Sequence, residues 1–279
     1  HLIFEERGIA DAHPLTAQLV YWVERVACKM ADLIILDTKP YRDYFCRKYD
    51  LSPLDFRLAP LGADERVYYP LDEPLPPCHP ESRPELVEGS PGRFSVAYHG
   101  QFVPLHGVAH IIEAARLLRD HQAIHFEFIG EGTTKQTAMA MAARYALSNV
   151  SFTGWLNKEE LSRHLAGADV CLGIFGGSPQ ARFTVPNKIW EGLAMRKAVV
   201  TANTPAVRDV LTHRQHLYLC DPEDPTSLAG AIQDLYENPV LRERLARQGY
   251  AYCHEHFTME ETGRRVKQYL AELIAQREA

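Results

Sequence analysis

The sequence predicts an α/β protein in which a doubly wound parallel sheet is preceded by the tail of a second α/β domain. Three observations carry this. From residue 94 to residue 236 short apolar runs alternate with helical segments, strand then helix, six times over. Residues 69–93 are a proline-rich, charged stretch in which missing amide donors forbid helix and the charges keep the chain solvated. The residues before that stretch hold too few strands to close a sheet of their own.

The bulk composition narrows the function. At 279 residues and 46% hydrophobic the chain has enough apolar surface for a packed core, and a net charge of −6 gives no field for a nucleic acid, which is excluded as a main partner. Six cysteines at 28, 46, 78, 171, 220 and 253 form no CxxC pair and read as reduced thiols of a cytoplasmic protein. There is no run of about 18 apolar residues to span a bilayer and no basic-then-apolar leader. The chain opens on His1 rather than Met, inside what reads as a structured segment, so further sequence is expected upstream.

Taken in order, Leu15 to Met30 place Leu15, Leu19, Trp22, Val23 and Val26 on one helical stripe, followed by the apolar strand Leu33 to Leu36. The stripe suits packing against an upstream sheet, and it also suits peripheral contact with a membrane at its inner face. A helix over 38–49 and an extended segment 57–60 complete a first unit, 1–68, with 69–93 as linker. The second unit, 94–258, is read as strands 94–99, 124–129, 150–153, 169–174, 197–201 and 216–219. Helices 107–119, 134–146, 158–166, 187–196, 205–212 and 224–236 follow them in turn. Helices 240–255 and 259–277 have no strand between them, so the last, within 259–279, is free to cross back to the first unit on a stripe of Tyr269, Leu270 and Leu273.

In such a sheet the ligand lies beyond the carboxyl ends of the strands, and there the sequence places glycines: Gly100 and Gly107, Gly130, Gly154 beside Trp155, and Gly176-Gly177-Ser178. One such loop alone reads equally as a tight turn; four together expose backbone to a ligand. Pro186 suits a first helical turn, and Lys188 would sit in that turn, where a cation is unfavourable unless an anion is bound. That points to phosphate. Glu191, one turn on, offers two acceptor oxygens to vicinal hydroxyls, or is simply an exposed helix glutamate. His106 has three readings: phosphate partner, turn residue, or general base.

At this segment the chain resembles family 4 glycosyltransferases of the GT-B fold, in the branch with a GxFxPLHG loop and a VPNK helix. Ala31 to Thr38, Pro60 to Asp64 with Tyr69-Pro70, Phe128 to Gly132, Asn149 to Trp155 and Ala168 to Gly173 follow in the family's order, so the resemblance covers residues 31–260. It implies a retaining transfer of a sugar from a nucleoside-diphosphate donor to a glycan or lipid-linked acceptor, with no metal or other cofactor, in polysaccharide biosynthesis. It places the donor diphosphate at Gly100 and Gly107, the base at Gly154 and Trp155, and the ribose on Glu191. Arg and Lys are frequent in the family's first loop where this sequence has Gln101 and His106, so charge neutralisation falls on Lys188 and Arg182, with Asn187 beside them at the helix start. Lys188 and His106 are therefore the candidate catalytic residues. The family's first motif glutamate falls on Phe183, which leaves Gly130, Gly176, Gly177 and Ser178 as the remaining donor contacts. A nucleotide-sugar-binding module without catalysis and a GT-B epimerase are the alternative readings; a receiver-type signalling domain fails on the cluster of strand-end glycines.

Overall fold

A computed structural model describes residues 13–71 and 93–278. The first unit is a helix α1 (Pro14–Met30), strand β1 (Ile34–Leu36), helix α2 (Lys39–Tyr49), a 3-10 turn (Pro53–Asp55) and strand β2 (Phe56–Leu58). β1 and β2 pair in parallel, Ile34 against Phe56, as a two-stranded sheet. The expected linker, 69–93, lies outside the described residues over 72–92, as does Cys78.

The second unit follows as β3 (Phe94–His99), α3 (Val108–Leu117), β4 (Ile124–Ile129), α4 (Lys135–Arg144), β5 (Val150–Thr153), α5 (Lys158–Ala166) and β6 (Val170–Leu172). It continues as α6 (Pro179–Phe183), α7 (Asn187–Ala194), β7 (Ala198–Ala202), α8 (Pro205–Val210), β8 (Tyr218–Cys220), α9 (Pro225–Glu237), α10 (Pro239–His256) and α11 (Met259–Glu278). The strands are all parallel, in the order β5-β4-β3-β6-β7-β8, so the winding reverses between β3 and β6.

Side chains alternate across the sheet with the period of two that a pleated strand imposes. Val96, Tyr98, Val170 and Leu172 join a core with α3, α4 and α9, while Ala97 and Cys171 join the opposite core with α5, α7 and α8. In the second core Trp190 stacks on Phe257 at 4.2 Å, which ties α7 to the end of α10. The chain then returns to the first unit. Met259 donates its amide to Ala63 O, Thr262 its hydroxyl to Pro60 O at 2.8 Å, and Tyr269 its hydroxyl to Leu58 O at 2.9 Å.

Four expectations need correction. Leu270 is 47% exposed; the packing face of α11 runs through Thr262, Val266, Tyr269 and Leu273, and a residue one step from Tyr269 is turned about 100° away from that face. The segment 179–183 is a short helix that the sequence reading does not include, and the strand expected over 169–174 ends at Leu172. Finally, three of the strand-end glycines serve loop-to-loop approach. A Cβ on Gly130 (φ +130°) would stand 2.1 Å from Gly100 O, one on Gly107 2.5 Å from Gly176 N, and one on Gly176 2.4 Å from Leu105 O. Gly130→Ala is therefore expected to cost at least about 2 kcal/mol of stability, from strained backbone and overlap with fixed backbone together. Thermal unfolding measures it.

The stripe of Leu15, Leu19, Trp22, Val23 and Val26 is exposed, while the other face of α1 meets α2, where Tyr21 and Tyr49 pack at 5.4 Å.

Candidate active site

The reversal of winding leaves a crevice beyond the carboxyl ends of β3 and β6. The end of β3, the loop 100–107, the loop 173–178 and the start of α7 converge on it. α7 starts there because Pro186, extended at φ −70° and ψ 146°, takes the cap position one residue earlier than a first-turn proline would. Lys188 and Glu191, three residues apart, then share one face of the helix.

Lys188 is 6% exposed. Its Nζ is 3.2 Å from His106 Nδ1, 4.3 Å from the centre of the Tyr98 ring, and 3.0 Å from where a Cβ on Gly100 would stand. Burial lowers its pKa to about 7, opposed by the nearby charge of Glu191, and no carboxylate forms an ion pair with it among the described residues. A buried ammonium that leans on an imidazole and the face of a phenol is short of an anion.

His106 ends a 3-10 turn, Pro104–His106, and its Nδ1 also lies 2.8 Å from the Tyr98 hydroxyl, which donates to Gln101 O at 2.9 Å. Burial first, and then the charge of Lys188, lower the imidazole to about 3. So weak a base does not suit proton abstraction, which counts against the general-base reading. The unfolded chain binds a proton here below about pH 6.5 and the folded chain only below about 3, so His106 contributes stability above 6.5 that is lost as pH falls toward 3. His106→Gln should flatten that acid limb in a series of thermal melts; an unchanged limb would place the titration elsewhere.

Glu191 accepts from His99 Nε2 at 2.7 Å, and His99 is buried as the last residue of β3. Tyr68 adjoins the same carboxylate, and burial together with that negative charge raises its phenol. The carboxylate is thus engaged by both side chains, each holding it at the crevice. His99 and Tyr68 were missed in the sequence; the one signal for His99 was a polar residue closing an apolar strand.

The amides of Gly100 and Gly107, expected to hold phosphate, are engaged internally, with Ile129 O and Pro104 O, each at 3.0 Å, and that of Gly130 with Thr153 O. This is a correction: at these positions the glycine is conformational. A Cβ on Gly154 would meet Glu131 Oε1 at 3.6 Å, an ordinary contact, and Trp155 is 70% exposed. Arg182 and Asn187 are exposed, and the Ser178 hydroxyl caps α6 at Ala181 N. Gln101, Gly176, Gly177 and Ser178 line a cleft of about 810 Å³ beside the crevice. Phe183 is turned away from it, 5.0 Å from Tyr44 and stacked at 6.3 Å on Tyr41 of α2, with Thr38 Oγ1 donating to its carbonyl. Among the described residues no three His, Cys, Asp or Glu side chains are grouped as a metal ion would require.

Residues 93–238 match the family described as Glycosyl transferases group 1. Alpha-D-kanosaminyltransferase of Streptomyces kanamyceticus is 26% identical over 237 residues, 83% of this chain and 58% of the relative. The chain spans about half the length of the curated relatives it matches. Among solved structures, sucrose-phosphate synthase of Thermosynechococcus elongatus superposes with a TM-score of 0.75 at 19% identity, covering 93% of this chain and 62% of that one. Anabaena HepE in complex with UDP and glucose superposes at 0.71 and 16% identity, covering 88% and 64%. At these identities the superpositions speak to the fold, which is GT-B. With the family match extending over more than half of its residues, this chain belongs to the group 1 glycosyl transferases.

Proposed function

We propose that the chain carries the donor site of a retaining, family 4 glycosyltransferase that moves a sugar from a nucleoside diphosphate to a glycan or lipid-linked acceptor. The observation that carries this reading is Lys188, a buried cation with no carboxylate partner among the described residues at the point where the sheet reverses. A donor diphosphate supplies the missing anion. The first amides of α3 and α7 have no intrahelical acceptor and add partial positive charge at the same edge.

In this reading the acceptor hydroxyl attacks the anomeric carbon on the face from which the diphosphate departs. The new C–O bond forms as the old one breaks, the departing phosphate takes the hydroxyl proton, and configuration is retained. The protein positions the two partners and stabilises charge on the leaving group through Lys188, which His106 and Tyr98 hold in place, and no metal takes part. Glu191, oriented by His99 and Tyr68, accepts from the ribose through its remaining lone pairs, and Gly154 and Trp155 flank the base. The complexes of HepE with UDP and UDP-glucose support a uridine donor. A lipopolysaccharide core glycosyltransferase of Rhizobium meliloti, 26% identical over 174 residues, supports a role in polysaccharide assembly. No helix among the described residues is long and apolar enough to cross a membrane, and we place the reaction in the cytoplasm, at the inner membrane face that the exposed stripe of α1 would touch.

Glu191→Ala should raise the donor KM about tenfold, the worth of one or two hydrogen bonds to a charged group, and leave the acceptor KM unchanged. Equal shifts in both would count against the assignment. Steady-state transfer, with donor and acceptor varied in turn, separates these outcomes.

A further inference from the structure

The cleft beside the crevice has one carboxylate among its described lining residues, and it is a residue the site above does not use: Glu223. Glu223 follows β8, so it stands at the same carboxyl edge of the sheet. Its backbone is left-handed, with φ at 58°, a conformation that costs a non-glycine residue about 1 kcal/mol. Asp50, Ala146 and Arg196 share that conformation just past the ends of α2, α4 and α7, where left-handed residues commonly end helices. Glu223, like Arg214, ends no helix.

Its placement is fixed from two sides. The Glu223 amide donates to Phe175 O at 2.9 Å, which pins the turn after β8 to the loop after β6. The carboxylate then lies against Gly177, where a Cβ would be 2.2 Å from Oε2 and would push it aside. The neighbouring Asp224 shows the ordinary use of an acid in this turn, capping α9 at Thr226 N and Ser227 N. Glu223 has no such duty and no ion pair among the described residues, and it is open to solvent on the cleft side.

Resting on the donor-site reading above, we propose that Glu223 is a specificity-determining residue that accepts hydrogen bonds from hydroxyls of the donor sugar. Sugar hydroxyls are donors in search of acceptors, and a carboxylate is the strongest acceptor this cleft offers. The Ser178 hydroxyl is engaged as a helix cap, and Phe183 faces away. The pinned left-handed backbone sets the carboxylate beside Gly177 at the wall of the cleft.

The test uses Glu223→Gly, which relieves the left-handed backbone and so should fold at least as well as the native chain, and Glu223→Gln, which keeps the shape. Calorimetric titrations compare UDP with UDP-glucose, GDP with GDP-mannose and ADP with ADP-glucose. For the base that binds, the native chain should hold the nucleotide sugar more tightly than the nucleoside diphosphate. Both variants should lose about tenfold of that advantage, with diphosphate affinity unchanged. Variants that keep the advantage, or a native chain that never had one, would overturn the role of Glu223 and leave the donor site standing. A folded native chain that binds none of the six would overturn both.

Discussion

Replacing Lys188 by Met is expected to weaken nucleotide-sugar binding about a hundredfold while raising the melting temperature. The two effects have one cause. In the free protein the ammonium is buried against His106 and Tyr98 with no carboxylate to pair with, so an apolar side chain of similar length removes a desolvation cost and should stabilise the fold by at least about 1 kcal/mol. In the complex the same ammonium meets the diphosphate, and loss of a buried charge pair of that kind typically costs about 3 kcal/mol. A residue kept for packing would show the reverse, with lower stability and unchanged affinity. Thermal unfolding and calorimetry on the same samples decide between them.

The second large effect is on pH. Burial holds Lys188 at about 7 in the free chain, and a bound anion raises that value, so above pH 7 binding must take up a proton. Affinity for a nucleotide sugar, whose phosphates are fully ionised across this range, should be flat below pH 7. Above it, affinity should fall by up to tenfold per unit, approaching a hundredfold by pH 9. Stability of the free chain moves the other way. Between about 7 and the ordinary lysine value of 10.5 the unfolded chain holds a proton that the folded chain has lost, so stability from this group rises with pH across that window. Both slopes should vanish in Lys188→Met. A pH-independent affinity in the native chain would mean that Lys188 does not meet the phosphates.

Strong local patterns made most of this fold legible. β3, β4, β5 and α5 stand where the sequence puts them, because apolar runs bounded by turn residues, and an Asn157 cap with Glu160 answering it, fix their ends locally. α6 was missed because five residues carry too little periodicity, although Ser178 and Pro179 form a helix start. In the site, Lys188 could be found from its place in a helix's first turn. His99 and Tyr68 could not, since each reaches Glu191 only through tertiary convergence of separate segments. The glycines were legible as a cluster and misleading as to use: sequence marks where backbone approaches closely, and the structure shows that at Gly107, Gly130 and Gly176 what approaches is another loop.

The measurement that bears most directly on the donor site is a calorimetric titration of the native chain, Lys188→Met and Glu191→Ala with UDP, GDP, ADP and their sugars. One base should bind saturably, one molecule per chain, and both substitutions should weaken it, Lys188→Met the more. A demonstrably folded chain that binds none of them, or binds one with no loss in either variant, would contradict a donor site at the junction of β3 and β6.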